Sequence, residues 1–225
     1  MGKIVQDFEF SKKYDEGHSR QYYEKHQEAF GRRMSDRREQ QMARQALAIA
    51  GNPQSILDIP CGAGRFWPLL AEDPLRRLYG ADASEAMLAV AVAKQPQPVS
   101  RRFTVLQSSA LAIKLPEKTV ESIFCMRLLH HIGQVEDRLA IYREFSRVAS
   151  RTIILSLWVD GNLKSWRRKK MERSRQGRAY QNRFVLPRQQ VENEFRQVGI
   201  NIIGKIDFLK FYSMWRVYVL GVSPQ

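Results

Sequence analysis

The sequence predicts an α/β fold, a mainly parallel sheet covered by helices on both faces, and three observations carry that prediction. Strand-like apolar runs alternate with helical stretches from Ser55 to Trp158, the pattern of a parallel sheet with its crossovers. A glycine-rich turn, "DIPCGAG" from Asp58 to Gly64, joins the first of those strands to a helix. The chain then closes with two apolar segments too near each other for a helix to fit between them. Such a pair is an antiparallel hairpin.

Each element has its own justification. Tyr14 to Ala50 reads as helix, its charged residues interrupted by Tyr22, Tyr23, Phe30, Met42, Leu47 and Ile49. Gly51, Asn52 and Pro53 stop it, glycine ending the helix and proline preventing its resumption. Residues 1–50 are therefore an amino-terminal helical cap and 51–225 the main domain. "SILDI" is the first strand, and "RFWPLLAE" opens a helix whose Pro68 sits in the first turn, where a missing N–H is harmless. "RLYGAD" is the second strand, and "SEAMLAVAVAKQ" a helix capped by Ser84. "RFTVLQSS" and "ESIFCMRLL" supply strands three and four. "VEDRLAIYREFSRVAS" is amphipathic, with Leu139, Tyr142, Phe145 and Val148 on one face, and "RTIILSLW" is the fifth strand. After Trp158 the pattern breaks into a basic insertion, residues 160–183, with few apolar residues and no clear period. "PRQQVENEFRQVG" is a last helix ending at Gly199, and "INIIGKIDFLKFY" and "MWRVYVLG" form the hairpin.

Composition narrows the setting. No apolar run approaches the roughly 18 residues that span a bilayer, so no transmembrane segment is expected. The first residues carry no apolar core of a secretory leader. The two cysteines, Cys61 and Cys125, show no Cys-x-x-Cys or Cys/His spacing, which argues for a reducing, cytoplasmic location and against a metal site. The net charge is +14, and residues 160–183 hold nine Lys/Arg against two acids. Half the excess thus lies in about a tenth of the chain, with Trp166 and Tyr180 interleaved. Such a concentrated field suits an anionic partner: RNA, a phosphorylated metabolite, or a lipid head group at a membrane surface. A solvated basic helix is the plain alternative.

The turn excludes a nucleoside-triphosphate loop and disfavours a nicotinamide-dependent dehydrogenase. A dinucleotide cradle needs a third glycine where this chain has Trp67, and no G-x-x-x-x-G-K-[ST] loop is present. What fits is an acid ending strand one, Asp58, and a second ending strand two, Asp82. A carboxylate at the second position accepts hydrogen bonds from both ribose hydroxyls of an adenosine lying across the strand ends.

"LDIPCGAGRF", "YGADASEAML", "LPEKTVESIFCMRLLHHI" and the closing hairpin resemble the successive motifs of class I S-adenosylmethionine-dependent methyltransferases. The resemblance implies a Rossmann-like seven-stranded sheet with an antiparallel C-terminal strand, and S-adenosyl-L-methionine as cofactor. It also implies roles. Asp58 orients the turn and, through water, the methionine amino group. Cys61, Gly62 and Gly64 let the backbone approach the methionine part, with Arg65 following the turn. Asp82 binds the ribose, Ala83 and Met87 lie against the adenine, and Met126 and Arg127 line the cofactor beyond strand four. Ser109-Ala110 stands where the family has Asp-Ala, so a hydroxyl replaces the carboxylate that holds the adenine amino group. His130 and His131 fall on the loop facing the transferable methyl and are the candidate bases; Trp67 is read as helix packing. "AYQNRFVLPRQQVENEFRQVGI" is similar to a segment of the tRNA wobble-uridine and quinone-biosynthesis enzymes, which leaves open as acceptor an anionic lipid or lipid-linked saccharide, or an RNA. A protein that kept this fold and binds cofactor or nucleic acid without catalysis is the other reading, motivated by Ser109.

Overall fold

A computed structural model describes residues 30–173 and 183–222. Seven strands form one sheet: β1 (Ser55–Asp58), β2 (Arg77–Asp82), β3 (Phe103–Gln107), β4 (Val120–Cys125), β5 (Ala149–Trp158), β6 (Ile200–Asp207) and β7 (Trp215–Val222). Their order is β3-β2-β1-β4-β5-β7-β6. β1 to β5 pair in parallel, and β7 runs antiparallel between β5 and β6. Strand order reverses at β1 and β4, and the crevice outside the carboxyl ends of strands at such a point is where open α/β sheets bind ligands.

The helices are α1 (Phe30–Ile49), α2 (Trp67–Leu70), α3 (Glu85–Lys94), α4 (Gln97–Ser100), α5 (Val135–Val148), α6 (Leu163–Arg173) and α7 (Arg188–Gln197). Strand alternation divides the core between two faces. Leu57, Ile123, Ile153, Leu155, Tyr218 and Leu220 meet Ile141, Tyr142 and Phe145 of α5 and Phe195 of α7. Ile56, Phe124, Ile154, Val217 and Val219 meet Met42, Ala43 and Ala46 of α1 and Leu88 and Ala91 of α3. The end of the amino-terminal helix is thus built into the sheet's second face.

Several elements differ in extent from the sequence reading, each for a local reason. The helix after the glycine turn is a single turn, Trp67–Leu70, with Ala71 already its C-cap. Its Trp67 packs as expected, stacked on Phe103 at 4.1 Å and 10°. The space for the indole comes from β2: a Cβ on Gly80 would lie 2.6 Å from Trp67 Cζ2. Ser84 caps α3, its Oγ accepting the Met87 N–H at 3.3 Å, and Gly199 takes the left-handed φ of +72° that ends α7. On α5 the buried stripe is Ile141, Tyr142, Phe145 and Val148 with Arg138, while Leu139 is only partly buried. Arg138 can be interior because Glu194 of α7 takes its Nε and Nη2 at 2.9 and 2.5 Å, and the Ile132 and Gly133 carbonyls take its Nη1, both at 2.9 Å.

The basic insertion, which has no helical period in sequence, begins as α6. Asn162 caps it, Oδ1 accepting the Ser165 N–H at 2.9 Å while Ser165 Oγ donates back to the Asn162 carbonyl at 2.7 Å. The first part of the helix read from Tyr14, with Tyr22 and Tyr23, and Arg175, Arg178 and Tyr180 of the insertion lie outside the described residues.

Candidate active site

The turn after β1 is held from three sides. The Ile59 N–H donates to the Phe124 carbonyl at 2.9 Å and the Cys61 N–H to the Ala81 carbonyl at 2.8 Å, so β4 and β2 grip it together. Gln95 Nε2, buried beneath, donates to the Ala63 carbonyl at 3.1 Å. Gly62 and Gly64 have φ of +52° and +70°, which a side chain would strain. Met87 of α3 reaches over the first of them; a Cβ on Gly62 would meet Met87 Cε at 3.5 Å.

Asp82 closes the arrangement. Its Oδ2 accepts the Gly62 N–H and its Oδ1 the Ser84 N–H, each at 2.9 Å. One carboxylate therefore locks the β1 turn to the start of α3. Each oxygen keeps a second lone pair for a diol. Burial pushes the Asp82 carboxyl above its usual range, with the backbone N–H groups opposing. Ala83 is half-buried beside it, and its carbonyl accepts from Gln107 Nε2 at 3.1 Å.

Asp58 is buried at the end of β1, and its Oδ2 has no hydrogen-bond partner among the described residues. Burial and then the Asp82 charge push its carboxyl well above the usual range. Burial, then the Asp58 and Asp82 charges, push the Cys61 thiol well up, and it stays neutral. A buried acid raised in this way binds its proton more tightly folded than unfolded, so the stability it contributes is lost as pH rises through its folded value. Asp58→Asn is therefore expected to make the cofactor-free protein more stable at neutral pH and to flatten stability between acid and neutral pH. Urea unfolding across that range checks this; an unchanged pH profile would contradict it.

Ser109 spends its hydroxyl locally, Oγ accepting the Leu111 N–H at 3.3 Å, and Ala110 is buried behind it. Ser108, unremarked in the sequence, ties this turn to β2 by donating its N–H to the Asp82 carbonyl at 2.9 Å. Met126 is buried after β4. Arg127 follows in a left-handed conformation (φ +69°), its N–H donating to Ser156 Oγ at 2.8 Å. Its guanidinium lies 5.1 Å from the Trp215 ring and 3.6 Å from Glu39 Oε2. Arg65 has its guanidinium engaged by α1: Nε and Nη2 donate to Asp36 Oδ1 at 2.8 and 2.6 Å, and Nη1 stands 3.0 Å from Glu39 Oε2. Sequence reading missed Asp36 and Glu39. Their spacing on one helix face was the available signal, but nothing in sequence pairs them with arginines that follow β1 and β4.

The two histidines differ. His130 is 3% exposed and stacks on Trp158 at 4.7 Å and 15°, with His131 at 4.2 Å and Trp215 at 5.6 Å. Burial, then His131, Arg127, Arg183 and Arg168, pushes its imidazole down to about 2. Arg168 and Arg183 lie over the Trp158 ring at 5.0 and 5.7 Å, and Arg168 Nη2 donates to the Arg183 carbonyl at 2.9 Å. His131 is half-buried. Among the described residues there is no cluster of metal-ligating side chains and no helix long and apolar enough to cross a membrane.

Residues 57–155 match the model of a methyltransferase domain. Among solved structures, the magnesium protoporphyrin IX methyltransferase of Synechocystis PCC 6803 with bound S-adenosylhomocysteine is 21% identical, with a TM-score of 0.67 over 88% of this chain and 89% of that one. The same enzyme with bound S-adenosylmethionine gives 17% identity and a TM-score of 0.63, over 88% and 86%. An S-adenosylmethionine-dependent methyltransferase from Aquifex aeolicus is 20% identical, with a TM-score of 0.56 over 76% and 82%. Among curated proteins nothing matches the chain. Asp58, the left-handed glycines and Asp82, at the strand ends of a sheet ordered 3-2-1-4-5-7-6, fit an adenosine with a methionine tail. Residues 57–155 thus carry a methyltransferase domain, and the chain has the fold of S-adenosylmethionine-dependent methyltransferases.

Proposed function

We propose that the protein transfers the methyl group of S-adenosylmethionine to an anionic acceptor that arrives beneath the basic insertion. The observation that carries the reading is the gathering of Arg168 and Arg183 over the Trp158 ring and Arg127 over the Trp215 ring, the two indoles that flank His130, beside the carboxyl ends of β4 and β5. Three guanidinium groups from three segments suit an acceptor bearing phosphate or carboxylate.

The cofactor supplies an electrophilic methyl on a sulfonium, so the protein's task is chiefly alignment. Asp82 would hold the ribose, Met87 and Ala83 the adenine, and the Gly62–Gly64 backbone the methionine part. Asp58, buried beneath the turn, would steady the methionine ammonium through water. A base is needed only for a nucleophile that arrives protonated. His130 is a poor one, since its imidazolium is disfavoured by burial and by three arginines. His131 is the remaining imidazole on the loop and is assigned that role.

Labelled methyl transfer into fractionated cell extract tests the reading directly, because it reports the acceptor's class. Neutralising Arg167, Arg168, Lys169 and Lys170 together is expected to lower kcat/KM for the labelled fraction by ~10–10³-fold, the scale of electrostatic capture. Calorimetric affinity for S-adenosylhomocysteine should stay within about twofold, since these four lie outside the β1–β2 cradle. Unaffected transfer would make α6 a merely solvated face.

A further inference from the structure

α6 and the loop between β6 and β7 lie far apart in sequence, and the fold joins them into one surface. The first N–H groups of α6 are satisfied by that loop: Leu163 donates to the Phe211 carbonyl and Lys164 to the Tyr212 carbonyl, each at 3.0 Å. Leu163, Trp166 and Met171 of α6 and Leu209, Phe211 and Tyr212 of the loop are all exposed, six of the eleven large apolar side chains exposed among the described residues. Trp166 is 61% and Phe211 76% exposed. Phe211 also holds a φ of +61°, a conformation a bulky residue rarely takes.

Cations accompany the rings. Lys164 Nζ lies 5.2 Å from the Tyr212 ring, Lys170 Nζ 5.7 Å from Trp166 and Lys210 Nζ 5.2 Å from Phe211. Arg167 and Lys169 are exposed on the same helix. Exposed apolar side chains of this number mark an interaction surface. Aromatic tips with ammonium groups beside them match the boundary between acyl chains and phosphates of a bilayer. Single-stranded nucleic acid asks for something different, ring faces open for base stacking, and here each of the three rings has an ammonium over it. The patch also lies at the sheet end where β5 and β6 finish and β7 starts, the end that carries Asp58 and Asp82.

We propose that this face docks on an anionic phospholipid bilayer and turns the crevice toward an acceptor carried there. The acceptor clause rests on the methyltransferase reading; the docking is measured apart from it. The full chain is incubated with vesicles of mixed phosphatidylglycerol and phosphatidylcholine, and with vesicles of phosphatidylcholine alone, and sedimented. Binding is expected only to the anionic vesicles, weakening steeply with salt. Trp166→Ser with Phe211→Ser should weaken it by ~10-fold or more. Lys164→Ser, Lys170→Ser and Lys210→Ser together should do so by ~100-fold, at about fivefold per cation. Calorimetry with S-adenosylhomocysteine on each protein reports the fold and the cofactor site. Loss of that binding in the unaltered chain would remove the methyltransferase reading and leave the docking result standing. No partition onto anionic vesicles, partition untouched by both sets of variants, or release of the bound protein by a short RNA would overturn the proposal.

Discussion

Asp82→Ala is expected to abolish measurable binding of S-adenosylhomocysteine, a loss on the order of 10²–10⁴-fold. The estimate follows from removing two hydrogen bonds to an ionised group, each worth about 1.5–3 kcal/mol. The carboxylate also accepts from Gly62 and Ser84, so the variant leaves two N–H groups short of a partner at ~1–3 kcal/mol each. It should melt several degrees lower and still fold, since the β1 turn remains held by the Phe124 and Ala81 carbonyls. Asp82→Asn keeps the shape and one acceptor oxygen, and should lose less affinity than alanine. Calorimetry and thermal melts on both variants separate the two effects. Unchanged affinity in Asp82→Ala would show that the ribose binds elsewhere.

The largest effect on stability is expected from Arg138→Ala. It strands the Glu194 carboxylate, which is as buried as its partner, and frees the Ile132 and Gly133 carbonyls. Breaking one side of a buried pair costs about 3–5 kcal/mol, a fall in Tm on the order of 10 °C for a domain this size. Replacing both residues by apolar ones of similar volume, Arg138→Met with Glu194→Leu, should recover much of the loss, because no buried charge then lacks a partner. The cycle should be strongly non-additive. Since Gly133 closes the His loop, Arg138→Ala should also slow transfer, and the loop's stacking on Trp158 predicts a change in tryptophan fluorescence. A Tm within a degree or two of the parent would mean that the pair contributes little.

Local signals made much of this legible in the sequence. Strand alternation, the stop at Gly51 to Pro53, the Ser84 cap and the closing hairpin are short-range features, and all recur in the fold. So do the strand-end positions of Asp58 and Asp82. Long-range compensation was not legible. The indole in place of a third glycine looked like a departure until Gly80, on the neighbouring strand, proved to be the residue that admits it. An arginine on the inner face of α5 breaks the apolar pattern, and only the fold brings Glu194 to it. Arg65 and Arg127 follow different strands, and only the fold sets Glu39 of α1 between their guanidinium groups. In each case two residues remote in the chain share one buried site, and no periodicity encodes that.

The insertion of β7 between β5 and β6 bears on how the protein is made. β5 presents its open edge from the moment it forms, and the strand that covers it along Thr152 to Trp158 is the last of the seven in chain order. During synthesis the first five strands can assemble as parallel crossovers, but β5, apolar on both faces, stays unpaired on one side until β7 emerges. The same late segment delivers Trp215 to His130 and Phe211 to α6. A nascent chain would therefore own its cofactor cradle before it owned its acceptor side. Ribosome-bound intermediates should be competent to hold S-adenosylmethionine while still exposed to chaperones.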